Sequence, residues 1–133
     1  MRLPGWERRL TTVMDAHEHE PFAWWRNDCA RFAARCIEAM TGDCPLRGLT
    51  WPETAEGARE ALAAQGGLEA YWTRALGQPK PSLRAQRGDL VLADNGGRLS
   101  CGIVTLDGWH VASPGLRGLA RVELPSAVRA WSV

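Results

Sequence analysis

Cys29 is the residue in this sequence best placed to act as a nucleophile. It follows Asn27 and Asp28, two residue types that favour the N-cap of a helix, and it begins a segment with helical periodicity. A thiol at a helix N-terminus lies at the positive end of the helix dipole. That position favours the thiolate, which is the form that attacks a carbonyl carbon. Catalysis would also need a base, and His110 is a candidate.

Each of these two residues has a second interpretation. Cys29 could be a small residue that is buried where its helix packs on a sheet, since cysteine is often simply buried. His110 could be a half-exposed strand histidine that bonds a local carbonyl. Strand alternation puts His110 and Ala112 on one face, and His110 reaches Cys29 only if that face is the inner one. A shift of one residue in register would reverse the face.

The remaining metal-ligand residue types do not form a recognisable site. Cys36, Cys44 and Cys101 form no C-x-x-C pair with each other or with Cys29, and we interpret all three as small buried hydrophobic residues. The segment 17–20 alternates His and Glu, but alternating residues do not share a helix face, so a solvated helix end is predicted. Asp89 is predicted to close a turn or bond backbone. We therefore predict no metal and no cofactor.

Composition excludes several classes of protein. The chain has 133 residues, 45% of them hydrophobic, and a formal charge of +1, which predicts one globular domain over residues 1–133. No basic run is longer than Arg8-Arg9, so no nucleic-acid surface is indicated. No apolar run approaches the roughly 20 residues that span a bilayer. The first nine residues do not resemble a signal peptide, so we expect synthesis in the cytoplasm.

Helical patterns fill the first half of the sequence and strand patterns the second. The helix at Cys29 has Gly42 as its terminator, and Thr50-Trp51-Pro52-Glu53 has the spacing of a capping box. Short strands separated by hairpin turns follow, which predicts an α+β fold with a mainly antiparallel sheet. The predicted helices run from 6 to about 20, 29–40, 50–65 and 68–76, the strands are 90–93, 101–106, 109–112 and 119–124, and the turns are 94–97 and 107–108.

Four short motifs in order resemble the NlpC-like branch of the papain-like cysteine peptidases. They are Asp28-Cys29, Gly88-Asp89-Leu90-Val91, Ser100-Cys101-Gly102-Ile103-Val104 and Trp109-His110-Val111-Ala112-Ser113. The resemblance implies N-terminal helices packed on a C-terminal antiparallel sheet, with Cys29 as nucleophile. It also implies a histidine base at position 100, where this sequence has Ser100. Serine cannot take a proton from a thiol near neutral pH. By the same resemblance His110 corresponds to the residue that orients the base.

The whole set of motifs is closest to a phage branch of that superfamily, whose members are found among tail-assembly and tail-tip genes. The aromatic residues before Asp28, the Pro114-Gly115-Leu116 turn and the ending Ala130-Trp131-Ser132-Val133 carry this closer likeness. It implies a component of the virion tail in an oligomeric assembly with other tail proteins. The seven tryptophans fit a core together with protein interfaces better than a sugar-binding groove.

Three functions are therefore open. The missing base favours a structural tail protein that has kept the fold and lost efficient hydrolysis. The alternative is a cysteine peptidase that cuts peptidoglycan peptides while the phage enters the cell, with Cys29 as nucleophile and His110 as base. A cell-wall binding module that uses the old cleft without turnover is the third. A neighbouring chain could supply the base that this one lacks.

Overall fold

Helices form the first part of the chain and strands the second. The computed structural model describes residues 1–95, 98–124 and 127–133. This order confirms the predicted α+β class. The helices are α1 (Trp6–Ala16), α2 (Cys29–Thr41), α3 (Ala55–Ala64) and α4 (Leu68–Leu76), a 3-10 turn covers Ser82–Arg84, and the strands are β1 (Leu90–Asn95), β2 (Arg98–Val104), β3 (His110–Gly115), β4 (Gly118–Glu123) and β5 (Ala127–Trp131).

The five strands form one antiparallel sheet in the order β4-β3-β2-β1-β5. The four predicted strands are present, with bounds shifted by a few residues. Sequence reasoning missed β5, which pairs with β1 and places Trp131 opposite Leu90 in the core. Of the predicted turn at 94–97, Gly96 and Gly97 lie outside the described residues. The predicted turn at 107–108 does join β2 to β3.

Helix α2 is the central helix, because it packs on β2 and β3 with one face and on α1 with another. Its N-cap is Asp28, whose carboxylate accepts a hydrogen bond from the Arg31 N–H, and its C-cap is Gly42 with φ 87°. Both ends agree with the sequence, since a side-chain acceptor and a left-handed glycine are the usual helix boundaries. The buried residues of α2 are Ala30, Phe32, Ala33, Ala34, Cys36, Ile37 and Met40.

The start of α3 differs from the prediction. Thr50 does not cap a helix; Thr54 does, and its hydroxyl accepts a hydrogen bond from the Gly57 N–H. Both threonines fit an N-cap pattern, and tertiary packing decides between them. Residues 50–53 stay outside the helix and bring the Trp51 side chain into the core. None of the helices in the described part of the chain is long and apolar enough to cross a membrane.

Asp89 holds both ends of the chain and the segment between α4 and β1 at the beginning of β1. It is 2% exposed. Its carboxylate forms ion pairs with Arg2 at 3.0 Å and Lys80 at 2.7 Å, and it accepts hydrogen bonds from the N–H groups of Gln86 and Val133. Asp89 therefore has the turn-closing and backbone-bonding role that the sequence predicts, and it also forms ion pairs with two cations.

We expect Asp89→Asn to lower the free energy of unfolding by about 2 kcal/mol, because the two cations lose their counter-charge and one acceptor oxygen becomes a donor. Urea unfolding followed by tryptophan fluorescence measures the change. Asp15→Asn removes an exposed carboxylate from α1 and is the matched control. Equal midpoints for the two variants would contradict this role of Asp89.

Candidate functional site

The buried carboxylate of Asp28 organises the N-terminus of α2. One oxygen accepts from the Arg31 N–H at 2.8 Å. The other accepts from the Trp25 N–H at 2.9 Å and from the indole N–H of Trp51 at 2.8 Å. These donors come from the first turn of α2, from the loop before it and from the loop before α3. Because a buried carboxylate needs such partners, the three segments are held together next to Cys29.

The loop before α2 is a tight aromatic turn. Trp25 has φ 64°, which is rare for a bulky residue. Its ring stacks edge-on against Trp51, with ring centroids 4.9 Å apart, and the Arg31 guanidinium lies 4.9 Å from the Trp25 ring centroid. Asn27 donates from its amide to the carbonyls of Glu20 and Pro21. These contacts hold the strained backbone of Trp25 in place, and they fix the conformation of the turn that precedes Cys29.

The thiol of Cys101 on β2 has the largest effect on the Cys29 thiol. Its interaction with the Cys29 sulfur lowers the pKa of Cys29. Burial and the negative charge of Asp28 raise that pKa, while the backbone N–H groups of Cys101 and Ala30 lower it further, and the net direction is down. The same thiol contact raises the pKa of Cys101 well above its ordinary value, and burial adds to the increase.

Ser100 lies on the opposite face of the sheet from the thiol pair. Cys101 and Ile103 belong to the core beneath the helices, and successive residues of a strand point to opposite faces. Position 100, to which the resemblance assigns the base, therefore does not face Cys29. Cys101 does. We interpreted Cys101 from the sequence as a buried residue only, which it also is; the alternation along β2 was the signal that could have placed it in the site.

The structure does not bring His110 to Cys29. Its Nδ1 lies 2.7 Å from the Asp107 carboxylate at the β2–β3 turn. Val111 pairs with Val104, so His110 lies one position further, opposite Thr105 and four positions from Cys101. At about 3.3 Å per residue this is roughly 13 Å along the strand. The role of His110 as a base stays a prediction, and the geometry in this chain assigns it to the turn.

His17 is the histidine that packs on α2. Its ring meets Phe32 edge-on, with ring centroids 6.0 Å apart, and its Nδ1 lies 2.5 Å from the Glu20 carboxylate. Phe32 is one helical turn from Cys29, but Cys29 and His17 share no hydrogen bond in the described part of the chain. The imidazole is engaged at the end of α1 and does not act on the thiol.

The chemistry available at this site is that of a thiolate next to a thiol. In the part of the chain that the structure describes, no three His, Cys, Asp or Glu side chains are grouped as metal ligands. Cys29 is half-buried and has a lowered pKa, so it can react as a nucleophile. A peptide bond also needs a proton donor for the leaving amine, and neither His17 nor His110 is hydrogen-bonded to Cys29 in the described part of the chain.

We expect iodoacetamide at neutral pH to alkylate Cys29 at least ten times faster than Cys36. Cys36 is fully buried and burial raises its pKa, whereas Cys29 is partly exposed and its pKa is lowered. Quantitative mass spectrometry of tryptic peptides measures both rates in the native protein. Equal rates would show that Cys29 is not activated.

We expect Asp28→Asn to shift the alkylation of Cys29 to lower pH. The Asp28 charge raises the pKa of Cys29, so its removal leaves the lowering contacts less opposed. The measurement is the alkylation rate of Cys29 between pH 5 and 10. Asp43→Asn changes an exposed carboxylate beyond the other end of α2 and is the control. A shift to higher pH would mean that Asp28 acts on Cys29 mainly by holding its surroundings in place.

Comparison with known proteins finds a solved structure with a similar fold. The structure is similar to the crystal structure of the NlpC/p60 domain of the peptidoglycan hydrolase SagA, with a TM-score of 0.61 and 14% sequence identity. The match covers 96% of this chain and 98% of that one, so the two share a fold. No curated protein matches the sequence. The family described as "Domain of unknown function (DUF6950)" matches residues 1–133, and this protein therefore belongs to that family.

Proposed function

We propose that this protein is a structural component of a phage tail, in the tail tip or its assembly, that keeps an NlpC-like fold without hydrolysing peptidoglycan. The observation that carries the proposal is the Cys101 thiol opposite Cys29, on the strand where the peptidases have their base. The pKa of Cys101 is raised, so this thiol stays protonated and does not accept the proton of Cys29 at neutral pH.

The missing group matters most when the peptide bond breaks. An amine leaves only when it receives a proton, and a positioned general acid contributes about 10²–10⁴-fold to such a step. His110 is bound to Asp107 near the far end of β2, and His17 is bound to Glu20. The Asp28 carboxylate already accepts three N–H groups. Each of these three side chains is therefore engaged by other partners.

The tail assignment is supported by the sequence motifs and by the surface. The resemblance to phage tail-associated members covers residues from about Phe22 to the last residue, Val133. Leu83, Leu116 and Trp109 are 96%, 93% and 71% exposed, respectively. Aromatic side chains such as Trp109 are enriched in protein interfaces. Neighbouring tail proteins are the partners we propose for them, with the virion tail as the location.

A second function has a specific observation in its favour. The lowered pKa of Cys29 at a helix N-terminus is the property that a cysteine peptidase needs in its nucleophile. The structural neighbour SagA is itself a peptidoglycan hydrolase. A peptidase that cuts peptidoglycan peptides would need a base from another chain of the tail, because the rings of His17 and His110 are bound to Glu20 and Asp107.

We expect the purified protein to release no soluble fragments from peptidoglycan above the level of its Cys29→Ala variant. Liquid chromatography of the digest measures the release, and an active NlpC/p60 hydrolase is the positive control. Release that depends on Cys29 would establish the peptidase. Sedimentation with insoluble cell wall, without release, would identify the binding module instead.

The tail role has its own measurement. We expect mass spectrometry of purified virions to detect the protein, and virions carrying Cys29→Ala to assemble and infect as the parent does. Absence of the protein from virions would contradict a tail component. Mutant virions that assemble normally but fail to cross the cell wall would contradict the loss of hydrolysis.

A further inference from the structure

A surface cleft beside the C-terminal end of α2 has a basic lining. Its volume is about 480 Å³, and the residues that line it are Arg2, Trp6, Gln86, Arg87 and Gly108. These five residues supply two guanidinium groups, one side-chain amide and an indole ring, and none of them is an acid. We propose that the cleft binds an oxyanion, the carboxylate or phosphate group of a larger ligand, through Arg2 and Arg87.

The cleft is separate from the thiol site. The Leu3 N–H donates to the Met40 carbonyl at 2.7 Å, which brings the N-terminal segment to the last turn of α2. Cys29 begins the same helix, and at about 1.5 Å per residue the two ends of α2 are roughly 16 Å apart. An anion bound in the cleft would therefore leave the Cys29 thiol untouched.

Arg2 is held in position before any ligand arrives. Its Nε donates to the Val133 carbonyl at 2.8 Å, and its Nη2 donates to the Asp89 carboxylate at 3.0 Å. Its guanidinium carbon lies 4.1 Å from the centroid of the Trp6 ring. Because a guanidinium has five N–H donors, these bonds leave the Nη1 hydrogens for a ligand. A side chain that is already ordered loses little entropy when it binds.

Arg87 supplies the second cation. Its guanidinium carbon lies 5.5 Å from the centroid of the Trp6 ring, so both arginines lie within cation–π range of one indole. Asp89 forms ion pairs with Arg2 and Lys80. In the described part of the chain, no acid forms an ion pair with Arg87, which is exposed. Two guanidinium groups beside one ring repel each other, and an anion that contacts both offsets that repulsion.

Gly88 allows Arg2 and Trp6 to lie close to the backbone before β1. It has φ 81°, and a Cβ at this position would lie 3.0 Å from Cζ of Arg2 and 3.0 Å from Cζ3 of Trp6. A side chain would displace the guanidinium and the indole together. The absence of a Cβ at Gly88 thus keeps the arginine–tryptophan pair in place at the cleft.

The donors of the cleft fit the oxygens of a carboxylate or a phosphate. A guanidinium presents parallel N–H groups that bind both anions in the bidentate form. Gln86 adds an amide whose NH₂ group is also a donor. The cleft volume lies within the range of small-molecule sites, about 300–1,000 Å³, and a lone oxyanion would fill only a small part of it. The bound group is therefore part of a larger molecule.

The experiment titrates the native, isotope-labelled protein with inorganic phosphate and, separately, with succinate, at an ionic strength kept constant by sodium chloride. Nitrogen–proton NMR spectra follow the side-chain Nε–H of Arg2 and Arg87 and the backbone N–H of Gly108. We expect saturable shifts at all three, with a Kd of roughly 1 mM. Tighter binding of phosphate would assign a phosphate-bearing ligand, and tighter binding of succinate a carboxylate-bearing one. No saturable shift with either probe would overturn the proposal.

A matched pair of variants separates a site from general charge attraction. Arg87→Ala should weaken binding about tenfold, because it removes charge-assisted hydrogen bonds. Arg84→Ala makes the same charge change at an exposed residue of the 3-10 turn that does not line the cleft, so it should bind as the parent does. Arg87→Lys keeps the charge without the paired N–H groups and should restore only part of the affinity. Equal weakening by Arg87→Ala and Arg84→Ala would overturn the proposal, and the titration of the parent protein needs no variant to fold.

Discussion

The buried carboxylate of Asp28 is the constraint on which the site depends. A carboxylate that is 2% exposed is costly to bury unless donors satisfy it, and here three N–H groups do so. They belong to Trp25, Arg31 and Trp51, which lie in three separate segments. Satisfying one charge therefore fixes the aromatic turn, the first turn of α2 and the loop before α3 relative to one another. The position of Cys29 follows from that arrangement.

Asp28 also has an electrostatic consequence for its neighbour. Its charge opposes the formation of a thiolate at Cys29, whereas the Cys101 thiol and the backbone N–H groups favour it. The favourable contacts prevail, so the pKa of Cys29 is lowered without any imidazole. Thiolate formation and proton transfer are thus separate properties in this fold. The helix N-terminus and β2 provide the first, and neither His17 nor His110 is hydrogen-bonded to Cys29 to provide the second in the described part of the chain.

The sequence was most informative where local chemistry decides the structure. Asp28 and Gly42 mark the ends of α2 and Gly77 the end of α4, because capping is settled within a few residues. It was less informative where tertiary packing decides. Thr50 was predicted as the N-cap of α3, whereas Thr54 caps the helix and Trp51 is buried in the core. The strand β5 is short, and its place beside β1 depends on a pairing between segments far apart in sequence.

The same contrast between local chemistry and tertiary packing explains which site residues could be predicted. Cys29 was found from its helix cap, but its partner depends on which face of β2 meets α2, and a shift of one residue exchanges Ser100 for Cys101. His110 was a reasonable candidate by type and alternation. The Asp107 carboxylate accepts hydrogen bonds from the Thr105 hydroxyl and the Trp109 N–H and is also bonded to the His110 ring. These bonds hold the pKa of Asp107 well below its usual range. An imidazole held by such a carboxylate at a turn stabilises that turn. The fold therefore places His110 and Cys29 on neighbouring elements, while their positions along the strands keep them apart, and the sulfur next to Cys29 is that of Cys101.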